Sequence, residues 1–148
     1  MIVVPFETWH FDFLELQGPE AQMKDHYGDS WDAILQYWKT SGFCWSWFEA
    51  PNKILGVCGI NKMWNGVGEA YMFLSPEFKK NKIRCIKDIR YYLKLGADQM
   101  KLHRVHCYVL KSWDDAERFA KFLGFHIEAE LHDFGPNKEN YLIMARKY

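Results

Sequence analysis

The chain carries no net charge, because 19 Lys and Arg balance 19 Asp and Glu over its 148 residues. That balance gives no general attraction to nucleic acid or to an anionic membrane, so any basic site must be local. Its cysteines, Cys44, Cys58, Cys85 and Cys107, lack C-x-x-C spacing, and no charged-then-apolar leader precedes them. Free and mostly buried thiols are therefore expected rather than disulfides. No apolar run approaches the length needed to span a bilayer. Repeats, low-complexity tracts and linkers are also missing, so residues 1–148 read as one domain, able to bury roughly two-thirds of its unfolded surface. A soluble, intracellular protein is the expectation.

What is present is apolar and above all aromatic: seven Trp, with aromatics making up 18% of the chain, place it among globular rather than disordered proteins. Ile2 to Val4 reads as a strand stopped by Pro5. Thr8 is expected to cap a helix from about Trp9 to Leu16, ended by Gly18-Pro19. After a polar loop, Asp29 or Ser30 caps a second helix with the stripe Trp31, Ile34, Leu35, Trp38. Phe43 to Glu49, Ile54 to Met63 and Glu69 to Leu74 read as an antiparallel meander turning at Pro51-Asn52 and Asn65-Gly66.

A helix from about Asn81 to Met100 buries Ile83, Ile86, Leu93, Ala97 and Met100 and exposes Lys and Arg with Asp88. A strand from Arg104 to Leu110 follows. Ser112 is expected to cap the next helix, whose first turn holds Asp114, Asp115 and Glu117 and whose end is marked by Gly124. Phe125 to Leu131 and Tyr141 to Ala145 complete the strands. On Phe43 to Glu49, Trp45 and Trp47 share one side and Ser46 and Phe48 the other, so this strand is either covered twice within the domain or completed by a partner.

Histidines suggest no metal site. His103 and His106, three apart on a predicted strand edge, fall on opposite faces, and Cys107 does not complete a set with them. His126 and His132 share parity but stand about 20 Å apart along one strand. No Cys and His pairing has a local signature of nucleophilic catalysis.

The order of elements, together with two local patterns, resembles the GNAT acyltransferases over essentially the whole chain. Ser75-Pro76-Glu77-Phe78-Lys79 is similar to the family's V-x-P-x-(Y/F)-(R/K), which leads into its cofactor loop. Ala116 with Arg118-Phe119-Ala120-Lys121-Phe122-Leu123-Gly124-Phe125 is similar to the helix ending in L-G-F. The resemblance implies an α/β (α+β) fold with a mixed, mostly antiparallel sheet of about seven strands flanked by four helices. It further implies acetyl-CoA or CoA as the ligand, held along Met72, Phe73 and Leu74 and by Lys79, Lys80, Asn81, Lys82, Ile83 and Arg84. Glu69 becomes the candidate base for an incoming amine, with a solvated residue at a strand start as its plainer alternative.

Departures from the family pattern cut against ordinary catalysis. Lys82 and Arg84 stand where small residues let backbone amides approach a pyrophosphate. Ala120 stands where the family has the Tyr that protonates the leaving thiolate, and Trp113 where it often has Asn. Lys79, Lys80, Lys82, Arg84, Lys87 and Arg90 oppose the helix dipole by about 0.3–1 kcal/mol each near the first turn. They serve coenzyme A phosphates, an acidic partner or nucleic acid, or nothing beyond a solvated face.

The segment Pro5-Phe6-Glu7-Thr8-Trp9-His10-Phe11-Asp12-Phe13-Leu14-Glu15-Leu16-Gln17, with Gln22 after it, resembles the opening of small GNAT-like proteins of tailed bacteriophages. That likeness implies a virion or head-assembly role through protein contacts, with other phage structural proteins or a second copy as partners, in the host cytoplasm or the virion. Two functions stand: a non-catalytic phage protein of GNAT fold, which the substitutions favour, and an acetyl-CoA-dependent N-acetyltransferase acting on an amine.

Overall fold

The computed structural model describes all 148 residues. Seven strands form one sheet: β1 (Ile2–Pro5), β2 (Gly42–Ala50), β3 (Lys53–Trp64), β4 (Val67–Leu74), β5 (Arg104–Leu110), β6 (His126–Leu131) and β7 (Tyr141–Lys147), in the spatial order β1-β2-β3-β4-β5-β7-β6. Every neighbouring pair is antiparallel except β4 with β5. Helices α1 (Met23–Tyr27), α2 (Trp31–Thr40), α3 (Lys82–Gln99) and α4 (Asp114–Phe122) flank it. None is long and apolar enough to cross a membrane.

Both tight turns of the meander fall where Pro51-Asn52 and Asn65-Gly66 place them, with Gly66 at φ 85°. Gly124, at φ 96°, closes α4: Phe125 N–H donates to the Ala120 carbonyl and Gly124 N–H to that of Lys121, the paired bonds of a Schellman end.

None of the three expected side-chain caps forms: Ser30 stands at the N-cap of α2 without a side-chain cap bond, and Thr8 and Ser112 lose the position itself. In place of a helix from Trp9 to Leu16 there is a 3-10 turn, Thr8–Asp12, headed by Glu7 rather than Thr8. Its driving contact is His10, 2% exposed, whose Nδ1 accepts from Glu7 N–H at 3.1 Å and lies 2.8 Å from Ser46 Oγ. Docking that ring on β2, together with Phe6 and Leu14, bends the chain too sharply for a continued α-helix. Two further 3-10 turns, Gly18–Gln22 and Gly28–Ser30, bracket α1 in what the sequence suggests is a loop. At α4 the N-cap is Trp113, with no side-chain cap, so Ser112 does not serve. Trp113 is instead the side chain lying against Gly18.

Two apolar clusters sit on opposite faces of the sheet. The larger packs Trp45, Trp47, Cys58, Ile60, Val105 and Met144 under α3 and α4; the smaller packs Phe48, Val57 and Phe73 against Trp31, Leu35 and Trp38 of α2. Strand β2 is thus covered on both faces by its own chain, and its tryptophans need no partner. All the cysteines are free thiols, Cys58 and Cys85 buried and Cys44 and Cys107 partly so. Ile83, expected on the buried side of α3, is 79% exposed, because α3 starts at Lys82 and its inward stripe begins at Cys85 and Ile86.

Candidate functional site

Strands β4 and β5 pair over only three residues, Val67 with Arg104, Gly68 with Val105 and Glu69 with His106. Beyond them Ala70–Leu74 and Cys107–Leu110 have no mutual partners, although β4 stays paired to β3 and β5 to β7 along their lengths. The sheet therefore opens into a V whose apex is Glu69 and His106. Each arm runs on into a helix, β4 through the 3-10 turn Pro76–Asn81 into α3, and β5 into α4. Arg90 of α3 donates to the Phe122 carbonyl at the end of α4 and lies over the Phe122 ring, 4.8 Å from its centroid, tying the outer helices together.

Glu69 is the chemically distinctive group of the apex. Burial raises its carboxyl above the usual carboxylate range, with no other cause acting on it. Burial first, with the Glu69 charge among the lesser causes, also raises Tyr71 on its own strand and Tyr108 on β5. Burial, its first cause, also pushes the Cys107 thiol up to about 12, so this cysteine is no ready nucleophile. His106, 5% exposed, is held below its ordinary value by burial and then by Arg104, and its ring is neutral at pH 7.

The other end of the V is crossed by the segment from Gln17 to Glu20, which the sequence marks as a helix end and the close of the phage-like opening but not as part of a site. Gln17 Nε2 donates to the Leu74 carbonyl at 2.5 Å, and Gly18 rests on Trp113, just past the β5 arm. Glu20 keeps part of its surface accessible, yet burial pushes its carboxyl up to about 8. No hydrophobic period marks Gln17, Gly18 or Glu20; the Gly-Pro turn was the sole signal that the chain changes direction there.

A folded-state value above the unfolded one of about 4.3 means that Glu20 contributes stability fully at low pH and loses it as pH rises toward 8. Glu20→Gln is therefore expected to raise the thermal midpoint at about pH 8.5, by about 3 °C for each 1 kcal/mol recovered, and to change it little at about pH 5. Thermal melts at both values check this; an equal offset at each would contradict it.

The basic residues lie at the mouth, but not as an unopposed cluster. Lys80 pairs with Glu77 at 2.8 Å, and Lys53 with Glu49 at 2.5 Å. Asn81, at the N-cap of α3, donates to Glu49 at 3.2 Å. Lys79, Lys82 and Arg84 are exposed and form no ion pair. Of the residues expected along β4, Met72 and Leu74 are half-buried beside the larger cluster, whereas Phe73 is 5% exposed and stacks on Trp38 at 5.3 Å. Phe73 thus has only its backbone to offer a ligand. Ala120 is buried in the larger cluster and brings no polar atom to the gap.

No protein-family model matches the chain, and no curated protein matches it. Solved structures do. An aminoglycoside 6'-acetyltransferase of type Ii superposes with a TM-score of 0.74 at 16% identity, covering 99% of this chain and 97% of that one. A chimera of the spermidine N-acetyltransferase of Vibrio cholerae gives 0.73 at 16%, covering 99% and 94%. A GNAT-family acetyltransferase of Bacillus anthracis gives 0.68 at 14%, covering 98% and 93%. The chain has the GNAT acetyltransferase fold, with the mixed seven-stranded sheet expected of it.

Proposed function

We propose that the chain is a coenzyme A-dependent N-acyltransferase that moves an acetyl group to an amine, using the V between β4 and β5. The observation that carries this is the apex: a half-buried carboxyl with a raised pKa, Glu69, at the last paired position before the two strands part. Further support comes from the solved structures of like fold, which include enzymes named as acetyltransferases of spermidine and of an aminoglycoside.

The residues present fit the cofactor in part. The unpaired inner edge of β4 from Ala70 to Leu74 offers main-chain groups for an amide-bearing arm, apart from the Leu74 carbonyl that Gln17 already takes. Lys79, Lys82 and Arg84 supply free cations for phosphates at the mouth, where smaller residues would let main-chain amides do so. Acetyl-CoA supplies the activated acetyl thioester. Glu69 accepts the proton of the incoming ammonium, freeing the nitrogen to bond the acetyl carbon as the carbon–sulfur bond breaks. Ala120 brings no proton to the departing sulfur, which leaves as a thiolate and is protonated by solvent.

Calorimetric titration with acetyl-CoA tests the assignment. Micromolar binding is expected, weakened about tenfold or more when Lys79 and Lys82 are both changed to Glu, a loss of about 1.4 kcal/mol. Absence of binding up to millimolar acetyl-CoA would overturn it. That result would leave the second reading, a non-catalytic protein acting through protein contacts, including those of a phage virion or head. Two observations favour that alternative: the Gln17 bond that engages the mouth of the V, and Ile83, exposed between Lys82 and Arg84.

A further inference from the structure

One row of side chains across three neighbouring strands is polar, with a half-buried carboxyl between two buried groups that lack partners. Asn61 on β3 is the register partner of Glu69 on β4, and Glu69 is that of His106 on β5. Register partners point to one face of a sheet. Here it is the α2 face, since Tyr71, two residues on from Glu69, stacks on Trp38 of α2 at 4.6 Å. The row continues into Gly42 on β2 and Ala145 on β7, neither with bulk to cover it.

Asn61 is 7% exposed and His106 5%. Asn61 Oδ1 and both ring nitrogens of His106 make no hydrogen bond within the chain. A buried polar atom left unpaired costs about 1–3 kcal/mol, and folded proteins seldom carry such atoms without a reason. Two such side chains flanking a desolvated carboxyl, about 4.8 Å away on either hand, form a concentration of unmet acceptors.

The chemistry of the row selects its ligand. An amide oxygen, a carboxylate and the acceptor nitrogen of a neutral imidazole are complemented by a group with several donors on one centre, which is an ammonium. The nearest cation along β5, Arg104, is already taken by Glu128 through two bonds of 2.6 Å. Helix α2 ends at Thr40, two residues before Gly42, so its negative end is turned to this part of the face.

We infer that Asn61, Glu69 and His106 seat the ammonium head of a primary alkylamine, the acceptor in the transfer proposed above, on which this assignment rests. Asn61 and His106 position the amine and Glu69 takes its proton. Selectivity for a compact primary ammonium follows, since a neutral alcohol of equal size brings too few donors and a carboxylate is repelled by Glu69.

The test is a titration of the cofactor-free protein with n-butylamine, followed by side-chain NMR of His106 and Asn61 and run beside an acetyl-CoA transfer assay on the same amine. Shifts at both side chains are expected, saturating in the millimolar range, with binding weakened about tenfold in Asn61→Leu and in His106→Phe. Acetyl-CoA affinity is expected to stay within about twofold in both variants, and the KM for butylamine to rise more than kcat falls. Unmoved His106 and Asn61 signals at saturating amine, with transfer intact, would overturn the seat while sparing the reaction. Equal shifts with butyrate would overturn it too. Butylamine binding at the row without any transfer would support the seat and count against the reaction instead.

Discussion

Glu69→Gln is expected to cut the kcat of acetyl transfer about 10²–10⁴-fold, the range typical of removing a positioned general base, while acetyl-CoA affinity stays within about twofold. The amide keeps the size and hydrogen-bonding capacity of the side chain but cannot take a proton. In the unaltered protein the burial that raises the Glu69 carboxyl should shift the acid limb of kcat above the ordinary carboxylate range, because only the ionised form accepts. In Glu69→Gln that limb should vanish along with the activity. Thiol release measured against pH checks both points. If Glu69→Gln keeps more than a tenth of the rate, the base lies elsewhere, and the apex is a structural join between strands and nothing more.

The largest effect on stability is expected at Trp47. Its side chain is 1% exposed, packed edge-on to Trp45 at 5.6 Å and near-perpendicular to Tyr92 at 6.3 Å, in the cluster that joins β2 to α3. Trp47→Ala should cost about 3–5 kcal/mol, as large-to-small changes at fully buried aromatics do. That is about a fifth or more of the stability of a typical domain, about 5–15 kcal/mol. Trp47→Phe should cost much less, because the indole Nε1 is buried without a hydrogen-bond partner and its removal offsets part of the lost contact. Urea unfolding of both variants checks the ordering. A loss below about 1.5 kcal/mol for the alanine variant would show that the cluster collapses around the gap.

Strand β5, from Arg104 to Leu110, was read to the residue, and α2 and both meander turns nearly so, because apolar period, Gly and Asn dictate those segments locally. The ends governed by contacts distant in sequence were not. Thr8 loses its role to the docking of His10 on Ser46, and Ser112 to the position of Trp113 beside Gly18. The same divide runs through the candidate site. Glu69 stood out as a carboxylate on a central strand, but its neighbours across the sheet did not. A plain hairpin about Asn65-Gly66 sets Trp64 opposite Val67 and would carry on to Lys62 opposite Glu69. An irregularity between Lys62 and Trp64 slips the register by one and sets Asn61 there instead. Since a one-residue slip turns a side chain to the other face, no count along the chain could have joined Asn61, Glu69 and His106.

The crossing at Gln17 and Gly18 gives the V a mechanical character that the strands alone would not. The arms are fastened at one end by three residue pairs and crossed at the other by Gln17, bonded to the Leu74 carbonyl, and Gly18, set against Trp113, so the gap is an eyelet held at both ends. A slender chain can be threaded through an eyelet without the frame changing width, whereas a bulky one must first unfasten that crossing. The first contact to give way on this protein is then the single bond from Gln17 to Leu74, far in sequence from the residues at the apex.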